Sequence, residues 1–204
     1  LDGDADRLQF VDRAGRLFNG DELLYLMAHE RVLKGEKLGG VVGTLMTNKA
    51  VENAIEKMGL SFVRAKVGDR YVLEELERHQ WILGGEGSGH LLALDKHSTG
   101  DGLISALQVL QTCLRAKKDP SELLQSVELF PQVLLNIPLS NATSSPWSAS
   151  DELLAKVKHY ETELAQEGRI LIRKSGTEPL VRVMVEATSL ERAQTVAKAL
   201  AAFI

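Results

Sequence analysis

The sequence predicts an α/β fold with a mostly parallel sheet covered by helices, followed by a smaller α+β domain. Two observations predict it. Over residues 1–118, short runs rich in β-branched residues alternate with helix-like segments of about a dozen residues, which is typical of βαβ units. After Lys118-Asp119-Pro120 and a short helix, the order becomes strand, helix, strand, strand, helix. The domain boundary is therefore predicted near residue 130.

In the first part of the chain, polar residues mark where the helices begin. Asp21, Asn48 and Asp69 are each predicted to cap a helix, because their side chains can accept hydrogen bonds from the free N–H groups of a first turn. Glycines at 35 and 59 end the first two of these helices, and a fourth helix runs from about Leu103 to Arg115. The predicted strands are 8–12, 39–45, 61–67, 81–83 and 91–94.

The second part begins with a short helix from Ser121 and then a strand over 132–138. Residues 140–150 form a polar, low-complexity loop. A helix over 151–166, strands over 169–174 and 181–187, and a last helix over 190–204 complete the β-α-β-β-α order. The last two strands are predicted to pair antiparallel.

Composition limits the classes of function. The chain has 204 residues, 44% of them hydrophobic and 25% charged, with a net charge of −4, so it lacks the basic surface typical of nucleic-acid binding. The single Cys113 excludes a disulfide framework. There is no signal peptide and no apolar run near the ~20 residues that a membrane span needs. These features favour a cytoplasmic, soluble protein. The opening at Leu1, without Met, suggests a fragment.

The first motif with chemical potential has carboxylates at three alternate positions, Asp2, Asp4 and Asp6. On a strand they would stand about 6.6 Å apart, too far to share an ion. A loop that curls at the two intervening residues could converge them on a hard cation such as Mg²⁺. A Ca²⁺-binding EF-hand is excluded, because Arg7 and Arg13 occupy the positions of its required Gly and Glu. A solvated acidic turn stays open as the alternative.

The second motif is the glycine-rich segment 84–90, directly after a predicted strand. Between its glycines stand Glu86, Ser88 and His90. The carboxylate and the hydroxyl can hydrogen-bond neighbouring sugar hydroxyls, and the imidazole can exchange a proton near neutrality. The segment is not a dinucleotide fingerprint, because Glu86 and Ser88 interrupt the glycine spacing. A hairpin with incidental polar residues stays open.

The third motif, residues 173–179, is rich in hydrogen-bond donors and lies between two predicted strands. Arginine suits bidentate recognition of phosphate, and backbone N–H groups around Gly176 can cradle an anion. The alternative is a charged, exposed hairpin.

Near the carboxyl end of strand 61–67, where open α/β sheets bind ligands, Lys66 and Arg70 could also face an anion. Thr99-Gly100-Asp101-Gly102 is interpreted mainly as a turn and helix cap.

These three motifs, in this order, resemble the α-D-phosphohexomutase family over essentially the whole chain. The resemblance implies that Asp2, Asp4 and Asp6 bind Mg²⁺ and that Arg7 lies beside the phosphorylated serine that donates the phosphoryl group. It implies further roles in the other two motifs. Glu86 and Ser88 would orient the sugar, His90 would lie near the reacting centre, and Arg173, Ser175, Gly176, Thr177 and Arg182 would hold the non-reacting phosphate.

Within the family, segments 43–46, 65–72 and 182–186 are most similar to members that interconvert glucosamine 6-phosphate and glucosamine 1-phosphate. The resemblance implies glucosamine 1,6-bisphosphate as the intermediate, and a product used for UDP-N-acetylglucosamine and cell-wall precursors. It implies a phosphosugar as partner, without nucleic acid or membrane, and is compatible with a homodimer of the full-length protein. Gly87, where relatives more often carry Gln, Asn or Met, and Ala5, where Gly is common, are departures. Phosphomannomutase or phosphoglucomutase activity, or a non-catalytic phosphosugar-binding module, are the alternatives.

The resemblance also implies a domain assignment. Residues 1–18 would be the tail of a second, metal-binding domain, 19–130 a third, sugar-binding domain, and 131–204 a fourth, phosphate-binding domain. The phosphorylated serine would belong to sequence before Asp2. We therefore expect the 204 residues alone to bind phosphosugar weakly without isomerising it.

Overall fold

The computed structural model of the chain describes residues 1–139, 147–176 and 178–204. Most of the predicted polar loop and Thr177 therefore lie outside the described residues. The chain forms two compact units, Leu1–Glu128 and Leu129–Ile204, and each has its own sheet and hydrophobic core. Residues 1–18 cluster with the first unit, and their assignment to a preceding domain stays a prediction.

The first unit contains a two-stranded hairpin and a four-stranded sheet. Its strands are β1 (Phe10–Val11), β2 (Leu17–Phe18), β3 (Gly40–Thr44), β4 (Ser61–Ala65), β5 (Leu83–Gly85) and β6 (Leu91–Ala93). Its helices are α1 (Gly20–Leu33), α2 (Lys49–Lys57), α3 (Asp69–His79), α4 (Gly102–Ala116) and α5 (Pro120–Leu123). The order in the larger sheet is β4-β3-β5-β6. The pairs β3–β4 and β3–β5 are parallel and β5–β6 is antiparallel, which confirms the mostly parallel sheet.

Helices cover both faces of this sheet. Val41 and Val42 are adjacent in β3, so their side chains point to opposite faces, and both are 0% exposed. Helix α3 packs on β3, β4 and β5, with Val72 and Leu76 in the core beside Val42. Helix α1 packs on β5, α2 and α4. Because β3, β4 and β5 run in the same direction, the loops that follow them leave from one edge of the sheet.

Two of the four predicted helix caps are wrong. Asn19, not Asp21, caps α1, and it does so in a capping box with Glu22. Helix α3 begins after Gly68, and no side chain caps it, since Asp69 is its first residue. In both cases the chain enters the helix one or two residues earlier than predicted. The Asn48 cap of α2 is confirmed: its Oδ1 accepts a hydrogen bond from Ala50 N at 3.0 Å.

Strand β5 lies two residues later than predicted. Trp81 packs instead against Gly39 and Gly40, where an added Cβ would come within 2.8 Å and 2.3 Å of the indole. The large ring thus fills a space that only glycine leaves beside the start of β3. As a result the strand that precedes the second motif includes two of its glycines, Gly84 and Gly85.

The second unit is an antiparallel sheet packed against two helices. Its elements are β7 (Gln132–Pro138), α6 (Asp151–Leu164), β8 (Gly168–Lys174), β9 (Leu180–Ala187) and α7 (Leu190–Ala201). The strand order is β7-β9-β8, so β9 pairs with both others, which agrees with the predicted α+β order. Val183 and Val185 of β9 point into the core formed with α6 and α7. Among the described helices of both units, none has the length and hydropathy to cross a membrane.

Candidate active site

The three carboxylates of the first motif converge in a loop. Asp2, Asp4 and Asp6 each place one oxygen within 4.8 Å of the others. The curl is made at Ala5, whose φ is +62° and whose N–H donates to the Asp2 carbonyl oxygen at 3.3 Å. A left-handed residue at this position turns the chain back, which alternate positions on a strand could not do. The loop therefore brings the predicted metal ligands together.

The chemistry of this loop suits a divalent cation. Asp6 Oδ1 is buried and, among the described residues, accepts no hydrogen bond. Arg7 pairs with the loop, with its Nε 3.6 Å from Asp2 Oδ2 and 3.8 Å from Asp6 Oδ1. Burial raises the pKa of Asp2, but hydrogen bonds from the Arg7 and Asp2 backbone and from Asp6, together with the Arg7 charge, leave it below its ordinary value. Three close carboxylates with one half-exposed arginine leave room for a hard cation.

Backbone and side-chain contacts join the first motif to the second. Arg7 and His90 form an antiparallel β-bridge, and Leu8 N donates to Gly89 O at 3.0 Å. His90 is 5% exposed, and its Nδ1 lies 3.0 Å from Asp6 Oδ2. The imidazole thus holds a predicted metal ligand in place. Two motifs that are separated by more than eighty residues form one site.

The start of α4 also belongs to this site, which the sequence motifs did not reveal. A methyl group on Gly100 would come within 2.2 Å of His90 Nε2, so the ring packs directly on the glycine backbone. Gly102 N donates to the Ala5 carbonyl oxygen at 2.9 Å. Asp101 caps the helix as predicted, through Ile104 N. The pair of glycines flanking this cap is the signal that could have revealed a close backbone approach.

Glu86 lies at the end of the sheet where the parallel strands β4 and β5 finish. Its Oε1 accepts a hydrogen bond of 2.7 Å from Gly68 N, and Gly68 has φ +127° and ψ +134°, which favour glycine strongly. Lys66 is exposed beside it, with its Nζ 5.6 Å from the centroid of the Tyr71 ring. Among the described residues, none donates a hydrogen bond to Glu86 Oε2.

The other two predicted substrate-binding residues are exposed. Ser88 stands at the tip of the glycine loop. Arg70 is on the first turn of α3, where its Nε donates to Glu74 Oε1 at 2.8 Å. An anion at Arg70 would therefore compete with an acidic neighbour on the same helix.

The predicted phosphate-binding residues occur at the β8–β9 turn of the second unit. Arg173 and Arg182 lie directly opposite each other in the register of the two strands. Ser175 is buried, and its Oγ accepts from Glu178 N at 3.3 Å. Gly176 is exposed, and an added Cβ would meet no atom within 4 Å, so its backbone is accessible. Thr177 lies outside the described residues.

A polar cleft of about 370 Å³ lies away from these motifs, between α1 and α4. Its basic residues are paired with acids: Lys34 and Arg115 with Glu30, and Arg31 and Lys96 with Asp95. The balanced pairing indicates a network that ties the helices together rather than a site with unsatisfied charge. The candidate functional residues are therefore those of the three motifs and not those of this cleft.

Comparison with known proteins matches most of the chain. The profile described as "Phosphoglucomutase/phosphomannomutase, alpha/beta/alpha domain III" matches residues 19–130, and "Phosphoglucomutase/phosphomannomutase, C-terminal domain" matches 134–203. Phosphoglucosamine mutase of Variovorax paradoxus (strain S110) is 62% identical over 99% of this chain and 45% of that protein. The enzyme of the same name from Polaromonas naphthalenivorans (strain CJ2) is 64% identical over 98% of this chain and 45% of that protein. The chain thus spans less than half the length of these relatives.

Solved structures share the fold. N-acetylphosphoglucosamine mutase of Aspergillus fumigatus, in complex with GlcNAc-6P and magnesium, matches with a TM-score of 0.79 and 26% identity over 99% of this chain and 50% of that one. A putative phosphomannomutase from Thermus thermophilus matches with a TM-score of 0.67 and 26% identity, over 97% of this chain and 43% of that one. Both similarities extend over the two units of the chain.

Proposed function

Because the chain belongs to the phosphoglucomutase/phosphomannomutase family, we propose that it is the sugar-binding and phosphate-binding part of a phosphoglucosamine mutase. That enzyme interconverts glucosamine 6-phosphate and glucosamine 1-phosphate, and its product would supply UDP-N-acetylglucosamine synthesis. Relatives at 62% and 64% identity carry this name. The observation that carries the proposal is the loop of Asp2, Asp4 and Asp6, held by His90 of the sugar-reading motif.

We assign Asp2, Asp4 and Asp6 as ligands of Mg²⁺, which fits the oxygen-only donor set and Asp6 Oδ1, which accepts no hydrogen bond from a described residue. When bound, the metal supplies positive charge that stabilises a transferring phosphoryl group. Arg7, with its side chain 54% exposed beside the loop, can contact phosphoryl oxygens from the same side. His90 orients Asp6 and is enclosed near the reacting centre. A neighbouring structure that contains magnesium and GlcNAc-6P supports this assignment.

The family resemblance implies two phosphoryl transfers. A phosphoserine transfers its phosphoryl group to O1 of glucosamine 6-phosphate and gives glucosamine 1,6-bisphosphate. The intermediate reorients, and its O6 phosphoryl group returns to the serine, which leaves glucosamine 1-phosphate. The three motifs of this chain do not include that serine, so we propose that the 204 residues bind phosphosugar without isomerising it.

Glu86 and Ser88 would hydrogen-bond the hydroxyl groups of the sugar. Gly68 N fixes one oxygen of the Glu86 carboxylate, so the other is oriented toward a ligand before binding, which lowers the entropy cost of recognition. Lys66 and Arg70 lie at the same edge of the sheet and would add positive charge to this part of the substrate-binding site.

The non-reacting phosphate would be held by Arg173, Ser175, Gly176, Thr177 and Arg182. Arg173 and Arg182 provide guanidinium groups on adjacent strands, and Gly176 exposes its backbone. Guanidinium and backbone N–H donors together are the usual means of binding phosphate oxygens.

The test is calorimetric titration of the purified chain with glucosamine 6-phosphate in the presence of Mg²⁺, with mannose 6-phosphate and glucose 6-phosphate as comparisons. We expect weak binding with preference for the amino sugar, and no isomerisation by ³¹P NMR. Preference for mannose or glucose phosphate would favour the alternative enzymes of the family. Lack of binding to all three sugars would contradict the proposal. Isomerisation by the chain alone would contradict the prediction that the catalytic serine lies outside these 204 residues. A non-catalytic module is separated by assay of the full-length gene product, which should isomerise the substrate.

A further inference from the structure

The sheet of the second unit carries a row of three polar residues next to the β8–β9 turn. Arg182 of the central strand β9 lies opposite Arg173 of β8 on one side and opposite Asn136 of β7 on the other. Residues directly opposite in a sheet share a face, so all three stand on the face away from the core that contains Val183 and Val185. Asn136 belongs to none of the three sequence motifs.

The same face has a second row, four residues further from the turn, with a different charge pattern. There Arg169 lies opposite Glu186, and its Nε and Nη2 donate to the two carboxylate oxygens at 2.8 Å and 3.1 Å. Arg169 and Glu186 are 14% and 0% exposed as side chains. One arginine of β8 therefore faces an acid, and the other, Arg173, faces an arginine.

Like charges directly opposite each other destabilise a sheet. Among the described residues, Arg173 forms no ion pair, and Arg182 has one, from Nη2 to Glu178 Oε2 at 2.9 Å. Arg182 Nε is buried and donates to no described group. Arg173 therefore contributes positive charge that no described carboxylate balances, and a bound anion would offset the repulsion between the two arginines.

Asn136 extends this row by one strand spacing, about 4.8 Å from β9. Its side chain is exposed, and its amide carries two N–H donors. The flanking residues on the same face of β7, Leu134 and Pro138, have no side-chain donors. Asn136 is thus the polar residue of β7 that stands beside Arg182.

We propose that Asn136 is a further phosphate-binding residue, donating from its amide to the phosphate that Arg173 and Arg182 hold. This inference rests on the proposed function, because it assigns a third strand to the same phosphate site. The phosphate then lies above Arg182, between the guanidinium of Arg173 and the amide of Asn136. A neutral donor adds a directed hydrogen bond without adding a third positive charge to the row.

The test is titration of the 204-residue chain and its variants with glucosamine 6-phosphate and with inorganic phosphate, by calorimetry and NMR. Asn136→Ala should weaken binding of both probes by about tenfold, as expected for losing a hydrogen bond to a charged group. Asn136→Asp keeps the side-chain shape but repels the anion, so its loss should be larger. Gln132→Ala, on the same strand and face beside the paired row, should bind within about twofold of the unsubstituted chain. Circular dichroism melts check the fold, and Asn136→Asp carries the test if the alanine variant is unstable.

The outcomes separate the two proposals. If Arg173→Ala loses binding while Asn136→Ala and Asn136→Asp bind like the unsubstituted chain, the Asn136 inference is overturned and the proposed function stands. If the unsubstituted chain binds neither probe, the proposed phosphate site and the inference both fall. Loss with the Asn136 variants and no loss with Gln132→Ala supports the assignment.

Discussion

His90 Nδ1 lies 3.0 Å from Asp6 Oδ2, so a buried imidazole of the glycine-rich motif orients a carboxylate of the acidic loop. The β-bridge between Arg7 and His90 fixes the backbones on either side of this contact. The predicted metal-binding loop and the predicted sugar-binding motif are therefore in direct contact. Changes on either side of this contact should affect Mg²⁺ binding.

Asp6→Asn should lower the affinity of the chain for Mg²⁺ by about tenfold or more, because affinity for a hard cation depends on the number of charged oxygen ligands. Calorimetric titration with Mg²⁺ measures it. Asp151→Asn, in the first turn of α6, removes one charge outside the cluster and should leave the affinity unchanged. Equal losses in the two variants would mean that net charge, and not the loop, attracts the ion.

His90→Ala should also weaken Mg²⁺ binding, by about tenfold, because groups that orient metal ligands typically contribute this much. His90→Gln retains a donor and should recover part of the loss. His97→Ala is the matched control, since His97 contacts Thr99 rather than a carboxylate of the loop. Unchanged Mg²⁺ affinity in both His90 variants, with the fold intact, would refute the orienting role.

Gly68→Ala should weaken glucosamine 6-phosphate binding by about tenfold, because alanine disfavours φ +127° and the loop would no longer hold Glu86. Gly59→Ala is a control at another positive-φ glycine, φ +81°, with no atom near its Cβ position. It should cost roughly 1–2 kcal/mol of stability, because a left-handed conformation is unfavourable for alanine, and leave binding unchanged. Binding isotherms and urea unfolding of both variants distinguish a positioning role from general destabilisation.

Arg173→Ala should weaken substrate binding, whereas Arg169→Ala should lower stability. The first removes a proposed hydrogen-bond donor to the substrate phosphate, so in the intact enzyme KM for glucosamine 6-phosphate should rise with kcat little changed. The second leaves the 0% exposed Glu186 without its guanidinium partner, which should cost roughly 3 kcal/mol of stability. Steady-state kinetics and thermal unfolding measure the two effects. An unchanged KM with collapsed kcat in Arg173→Ala would show that the phosphate assignment is wrong.

The stability of the chain should fall in acid partly through Glu52. Burial raises the pKa of Glu52, but the Arg64 guanidinium, with Nε 2.8 Å away, and Lys49 leave it below its ordinary value of 4.5. A carboxylate with a depressed folded-state pKa contributes stability above its unfolded pKa and loses it as pH falls through the folded pKa. Urea unfolding from pH 7 to pH 3 should therefore show a smaller decrease for Glu52→Gln and for Arg64→Met than for the unsubstituted chain. Identical pH slopes in all three proteins would contradict this contribution.

Much of the fold was predictable because it depends on local patterns. Apolar periodicity and β-branched runs indicated the strands and helices of both units, and Asn48 was identified as a cap because capping needs only neighbouring residues. The caps at Asp21 and Asp69 were wrong because nearby residues, Asn19 and Gly68, could also begin the helix. Strand β5 was misplaced because Trp81 packs against glycines far earlier in the chain, which no local pattern contains.

The sequence by itself determined the chemistry available to the protein: carboxylates in one loop, glycines around a glutamate and a histidine in another, and arginines around a turn. Only the tertiary structure decided which of these groups meet. The Asp6–His90 contact, the Gly68–Glu86 hydrogen bond and the pairing of Asn136 with Arg182 join separate segments of the chain. The physical reason is that strand order and register, which place such residues side by side, are set by how buried faces pack together and not by any single segment.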